Sequence, residues 1–288
     1  MDFGTVLTAM VTPFDTDGNI DFPTTRLLIE HLLDNGTEGI VVAGTTGESP
    51  TLSDSEKLEL FQYVVEVVNK RVPVIAGTGN NNTAASIVLT KEVEAMGVDG
   101  IMLVTPYYNR PNQKGLIGHF TTIAQCTHLP IMLYNIPGRS MVNMTAETTI
   151  YLSNVENIVA VKESSADLDQ ISKIIENTSD DFSVYSGDDG MTLPILSVGG
   201  QGVVSVASHV IGQQMRSIVQ SYHSGQYKKA AQLHREALPI IKGLFMAPNP
   251  VPVKAALNMI GMNVGNTRLP LVGLSEEETE QLKEIILQ

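Results

Sequence analysis

The chain has 288 residues, 43% of them hydrophobic and 17% charged, with one cysteine and no tryptophan. That apolar share excludes disorder and collagen-like structure, and a single cysteine excludes a disulfide framework and any multi-cysteine zinc or iron–sulfur site. With 18 basic against 31 acidic residues the net charge is −13, which disfavours nucleic acid and anionic membranes as partners.

The first residues, MDFGTVLTAMVTPFD, carry neither a basic n-region nor a long apolar h-region, so no secretory signal is expected. No stretch approaches the roughly 18 uninterrupted apolar residues of a membrane span. The reading is a cytoplasmic protein. Eight short apolar runs then recur along the chain: VLTAMV (6–11), GIVVAG (39–44), VPVIAG (72–77), GIMLV (100–104), PIMLYN (130–135), IVAVKE (158–163), FSVYSG (182–187) and GVVSV (202–206). Their hydrophobicity is continuous rather than alternating, as in parallel strands covered on both faces.

Helical patterns fill the gaps. Ser53 and Glu56 make a capping box ahead of a helix to about residue 70, and Thr83 opens another that Gly97 ends. Thr145, Asp167 and Ser275 are further N-cap candidates, and Cys126 lies in a helical stretch as core packing in a reducing compartment. Eight strand–helix alternations fit a closed (β/α)8 TIM barrel or a doubly wound sheet. The dinucleotide fingerprint G-x-G-x-x-G is missing after the first run, where TPFDTDGN follows, which favours the barrel. From about residue 210 the pattern is helix only, over 210–224, 226–243, 251–261 and 275–287. The predicted division is a catalytic barrel, 1–224, and a small C-terminal helical appendage, 225–288.

In such barrels the C-terminal strand ends face the active site. There the sequence places GTTGE (44–48), TPYYNRP (105–111), YNIPGR (134–139), Lys162–Glu163 and SGDD (186–189). Lys162 is the sharpest signal, because a lysine after IVAV costs desolvation unless chemistry or a salt bridge uses it. Burial favours the neutral amine, which can attack a carbonyl. A structural pair with Glu163 is the competing reading, and Lys254 after PVPV is the rival lysine. Thr45 and Thr46 suit a tight anion-holding turn or a plain cap. Tyr107 and Tyr108 form an aromatic loop that also fits interface packing. Tyr134 needs a partner for its hydroxyl and is a candidate proton donor, and Arg139 can grip a carboxylate with both nitrogens. The six histidines are scattered without a metal-binding spacing, and Asp188–Asp189 reads as a helix cap rather than a magnesium site, so no metal is expected.

GTTGE, TPYYNRP, YNIPGRS, VAVKESS, YSGDD and PNPVPVK, in that order along the whole chain, resemble the dihydrodipicolinate synthase family of the class I, lysine-dependent pyruvate aldolase and lyase superfamily. The resemblance implies a lyase of lysine and diaminopimelate biosynthesis that condenses pyruvate with L-aspartate 4-semialdehyde. It implies an imine of pyruvate on Lys162, with no cofactor besides that covalent group. Tyr134 would exchange protons through Thr45 with Tyr108, which the neighbouring subunit lends. Thr45 and Thr46 would hold the pyruvate carboxylate, and Arg139 that of the semialdehyde. Gly187 and Val204 would supply backbone beside the lysine, Val204 replacing a more familiar Ile. A homotetramer built as a dimer of dimers is implied, with Tyr107 and Tyr108 at the tight interface. The positions that carry two histidines and a glutamate in lysine-inhibited members look like Asp54, Lys57 and Ala85, so weak or absent feedback is expected. Two other readings stay open: an N-acetylneuraminate or 2-keto-3-deoxy sugar-acid type of pyruvate aldolase, and a catalytically silent small-molecule-binding barrel.

Overall fold

The computed structural model describes residues 3–287. Its strands are β1 (Val6–Ala9), β2 (Gly39–Val42), β3 (Val74–Gly77), β4 (Gly100–Val104), β5 (Ile131–Asn135), β6 (Ile158–Glu163), β7 (Ser183–Ser186) and β8 (Gly202–Ser205). All pair in parallel with their chain neighbours, and β8 returns to β1, so the sheet closes into a barrel. The doubly wound alternative is thereby excluded.

The helices are α1 (Phe22–Asp34), α2 (Asp54–Val68), α3 (Thr83–Glu94), α4 (Gln113–Ala124), α5 (Pro137–Ser140), α6 (Ala146–Leu152), α7 (Leu168–Glu176), α8 (Thr192–Ser197), α9 (Ser208–His223), α10 (Tyr227–Gly243), α11 (Val251–Met259) and α12 (Glu276–Ile286). Most begin where a short polar side chain satisfies an otherwise unpaired N–H of the first turn. Ser53 and Ser275 form full capping boxes with Glu56 and Glu278, and Thr145 and Asp167 cap α6 and α7. Asn82 rather than Thr83 caps α3, and Gly97 takes φ +82° shortly after its end. Cys126 departs from expectation. It lies two residues beyond α4, half-buried, its thiol donating to the Thr122 carbonyl at 3.3 Å. The helix expected from 210 begins at Ser208 and breaks its regularity at Ile211 (φ −120°, ψ 39°).

Side chains on each strand alternate between two hydrophobic layers, as the pleat requires. Leu7, Val41, Ile75, Met102, Met132, Tyr134, Ala160, Tyr185 and Val204 pack together in the barrel interior. Val6, Ile40, Val42, Ile101, Leu103, Leu133, Val161 and Val203 belong to the layer beneath the helices. Burying each of these side chains is worth about 1.5–3 kcal/mol, so the strands are insulated on both faces. The alternation also aims the chemistry. Lys162 is two residues beyond Ala160 and therefore shares the interior face, whereas Glu163 takes the opposite one.

Candidate active site

Tyr134, Lys162 and Val204 are each the next-to-last residue of their strands, and Gly187 directly follows β7. The register sets Tyr134 beside Lys162, and Lys162 beside Tyr185. Lys162 is 5% exposed, and its Nζ lies 4.1 Å from the centroid of the Tyr134 ring. No carboxylate lies within 4.0 Å of that nitrogen among the described residues. The salt bridge to Glu163 does not form, because adjacent strand residues face opposite sides. Glu163 instead sits under the helices, accepting from Asn135 Nδ2 (3.1 and 3.2 Å), Ser165 N (2.8 Å) and Gln170 Nε2 (3.1 Å). Its burial raises the carboxyl pKa, against the pull of those donors.

Gly187 is glycine for a spatial reason. A β-carbon there would stand 2.9 Å from both Cγ and Cε of Lys162 and 2.1 Å from Ser164 Oγ. The backbone thus presses on the lysine stem and limits its rotamers. Ser164 Oγ, absent from the predicted site, is a buried hydroxyl with no hydrogen-bond partner among the described residues. The sequence offered no signal for it beyond its closeness to Lys162.

A cavity of about 220 Å³ opens at the C-terminal ends of β2 to β5, with Gly44, Thr45, Tyr107, Tyr134, Arg139 and Ser140 among its walls. Drug-sized ligands occupy about 300–1,000 Å³, so this space suits smaller molecules. Lys162 does not line it; Tyr134 borders both the cavity and the amine. Arg139 is exposed at the rim, in the single turn of α5, and has no carboxylate partner among the described residues. Tyr107 is half-buried, and desolvation raises its phenol pKa. Tyr108 stands 90% exposed at φ 72°, outside the cavity walls of the single chain. Thr46 and Val204 are buried next to the site rather than on the cavity wall.

Two acidic positions correct the sequence reading. Asp188 does cap, accepting from Gly190 N, but the element is only the short 3-10 turn Asp189–Met191. Asp189 is 1% exposed and accepts from the Ser205 hydroxyl and from the backbone of Val206 (2.9 Å) and Ala207 (3.0 Å). It welds the loop after β7 to the loop after β8. Burial raises its pKa.

The rival lysine has a partner. Lys254 is 2% exposed, with Nζ 2.7 Å from Glu48 Oε1, 3.0 Å from the Asn266 carbonyl it donates to, and 4.1 Å from the Phe14 ring centroid. Burial lowers its pKa to about 8, against the opposing pull of Glu48. It stands in the first turn of α11, which begins at Val251 as the sequence pattern predicts.

A parallel barrel that presents a buried lysine without a carboxylate, beside a tyrosine and below a small cavity, belongs to the class built for amine chemistry on carbonyl compounds. The model of the Dihydrodipicolinate synthetase family matches residues 2–288, and the chain belongs to that family. It is 59% identical over 288 residues to 4-hydroxy-tetrahydrodipicolinate synthase 2 of Halalkalibacterium halodurans, covering 100% of this chain and 99% of that one. The crystal structure of dihydrodipicolinate synthase DapA-2 from Bacillus anthracis superposes with a TM-score of 0.98 at 56% identity, covering 100% of this chain and 98% of that one. A structure of the enzyme from Cyanidioschyzon merolae with lysine bound gives 0.97 at 46% identity, covering 99% and 97%.

Proposed function

We propose that the chain is a metal-independent lyase that condenses pyruvate with L-aspartate 4-semialdehyde to 4-hydroxy-tetrahydrodipicolinate through an imine on Lys162. The observation that carries this reading is the amine itself: buried on the interior face at a strand end, with no carboxylate partner among the described residues, and held against Tyr134. The shared name of relatives with more than half their residues identical supports the choice of substrates.

The Lys162 amine adds to the keto carbon of pyruvate, and water leaves as the imine forms. The imine accepts electrons, so a proton departs from the methyl carbon and an enamine results. That carbon bonds to the aldehyde carbon of the semialdehyde. The amino group of the same substrate then attacks the imine carbon, closes the ring and releases Lys162. Tyr134 gives and takes the protons, relayed through Thr45 and a Tyr108 lent by a second subunit. The Thr45–Thr46 pair and Arg139 each hold one carboxylate, which turns a two-substrate encounter into a positioned one.

Exposure of Tyr108 in the single chain supports an assembly in which it enters a neighbour's site, and the reading is a homotetramer in the cytoplasm. Lys57 approaches Asp54 at 3.4 Å, and Ala85 lacks a carboxylate, so the reading includes little feedback by L-lysine.

Borohydride reduction tests the proposal. Pyruvate followed by borohydride should add a pyruvyl-derived mass to the peptide containing Lys162, and prior addition of the semialdehyde should reduce that adduct by turnover. An unmodified Lys162 peptide at saturating pyruvate would sink the imine and favour a silent barrel.

A further inference from the structure

The turn from Gly44 to Glu48 is bracketed by two non-glycine residues in the left-handed region, Ala43 at φ 51° and Glu48 at φ 57°. Such residues are strained and persist only where their surroundings over-determine them. Most of those surroundings come from the far end of the chain. Asn249 Nδ2 donates to Thr46 Oγ1 at 2.9 Å, and both residues are buried. Lys254 stands 2.7 Å from Glu48 Oε1, and the Arg268 backbone N–H donates to Glu48 Oε2 at 2.9 Å. From the opposite side, the Thr12 hydroxyl donates to the Gly47 carbonyl at 2.7 Å.

The bond from Asn249 has a direction. A hydroxyl that accepts still has its own hydrogen to give, and Thr46 Oγ1 makes no other hydrogen bond among the described residues. Asn249 Oδ1 is buried with no hydrogen-bond partner among the described residues, so the one side-chain bond this amide makes there is the one it donates to Thr46. Helix α11, the segment before it and the irregular stretch to Arg268 are thus joined to the threonine turn at three atoms. Asn249, Lys254 and Arg268 do not line the cavity described above.

We propose that Asn249 and Lys254 are positioning residues: Lys254 pins the threonine turn through Glu48, and Asn249, by donating to Thr46, leaves the Thr46 hydrogen free to be given to a keto-acid carboxylate. The inference rests on the reading that this turn holds the carboxylate of pyruvate. It makes the C-terminal helices part of the binding apparatus. A purely structural role would lower stability without distinguishing one substrate from the other.

The test uses the full chain with Asn249→Asp, Asn249→Ala, Lys254→Met and the double variant Glu48→Gln/Lys254→Met. Pyruvate half-saturation is read from borohydride trapping, alongside KM for each substrate and the melting temperature. Asn249→Asp supplies only an acceptor, which consumes the Thr46 hydrogen and sets a charge near the carboxylate, so half-saturation by pyruvate should rise about tenfold or more. Asn249→Ala should raise it severalfold, with KM for the semialdehyde within about twofold of the parent in both variants. Lys254→Met leaves Glu48 buried and unpaired and risks unfolding; the double variant neutralises the pair and should fold while still raising pyruvate half-saturation. Parent-like trapping by Asn249→Asp, or a parallel rise in both KM values with a falling melting temperature, overturns the proposal. Absence of any adduct on the parent chain defeats the imine reading and this inference together, whereas an adduct on the parent with unchanged variants defeats this inference alone.

Discussion

Three lysines are buried among the described residues; Lys57 pairs with Asp54 on its own helix, and the two buried most deeply, Lys162 and Lys254, differ in their partners. Lys162 is 5% exposed and Lys254 2%, and each holds its Nζ 4.1 Å from an aromatic centroid, Tyr134 in one case and Phe14 in the other. Lys254 adds a carboxylate at 2.7 Å and a carbonyl at 3.0 Å, which anchor it as a charge. Lys162 has neither, and its stem is confined by Gly187. A buried lysine that is fully paired holds structure together; one left with only a ring and a tight wall is available to a substrate. Burial alone does not separate the two, and the partner list does.

The comparison breaks most sharply at the lysines themselves. Lys162→Met should reduce turnover by at least about a thousandfold, because the proposed nucleophile is gone, while leaving the melting temperature at or above that of the parent. Lys254→Met should do the reverse in kind: by leaving Glu48 uncompensated it should cost about 3–5 kcal/mol of stability, seen in denaturant titration. Equal stability losses in the two variants would erase the distinction drawn here.

A smaller effect sharpens the Lys162 side. Gly187→Ala adds a methyl where Lys162 Cγ and Cε and Ser164 Oγ already stand, so the amine must shift. The expected outcome is a fall of roughly a hundredfold in the rate of imine trapping, with the fold retained by circular dichroism. Trapping at the parent rate would show that the stem has room to move.

The weakest effect probes the ionic side. Arg268, stacked 4.3 Å from the same Phe14 ring, bonds Glu56 and holds its carboxyl pKa down to about 2. The folded value lies below the unfolded one, so the native state binds fewer protons. The stabilisation is therefore present above about pH 4.5 and is lost as pH falls toward 2. The carboxylate is partly solvated, so the contribution is about 1–2 kcal/mol. Glu56→Gln should flatten the acid limb of the stability curve over that range, and an unaltered limb would remove Arg268 from the ionic network.

Much of this architecture was legible in the chain. The run IVAVKE announced a strand carrying a lysine, and VLTAMV without a glycine fingerprint pointed away from a dinucleotide fold. The capping boxes at Ser53 and Ser275 formed as written. The pleat could also have been read further: counting by twos from Ala160 puts Lys162 inside and Glu163 outside, which already argues against a bridge between them. Asp189 was misjudged because its neighbours in space, Ser205 to Ala207, lie at the end of β8 and just beyond it. Asn249 was passed over since an asparagine between two prolines looks like an ordinary turn.

What local pattern alone determined, then, was the set of elements, their order and the lysine worth watching, since strand and helix periods and caps depend on residues only a few positions apart. Closure of β8 onto β1 and the meeting of Asn249 with Thr46 across 203 positions were decided only by tertiary structure. So was the assignment of Glu48 to one lysine and not the other. Such contacts depend on where whole layers come to rest once the barrel and its helices are packed, and no short-range rule carries that information.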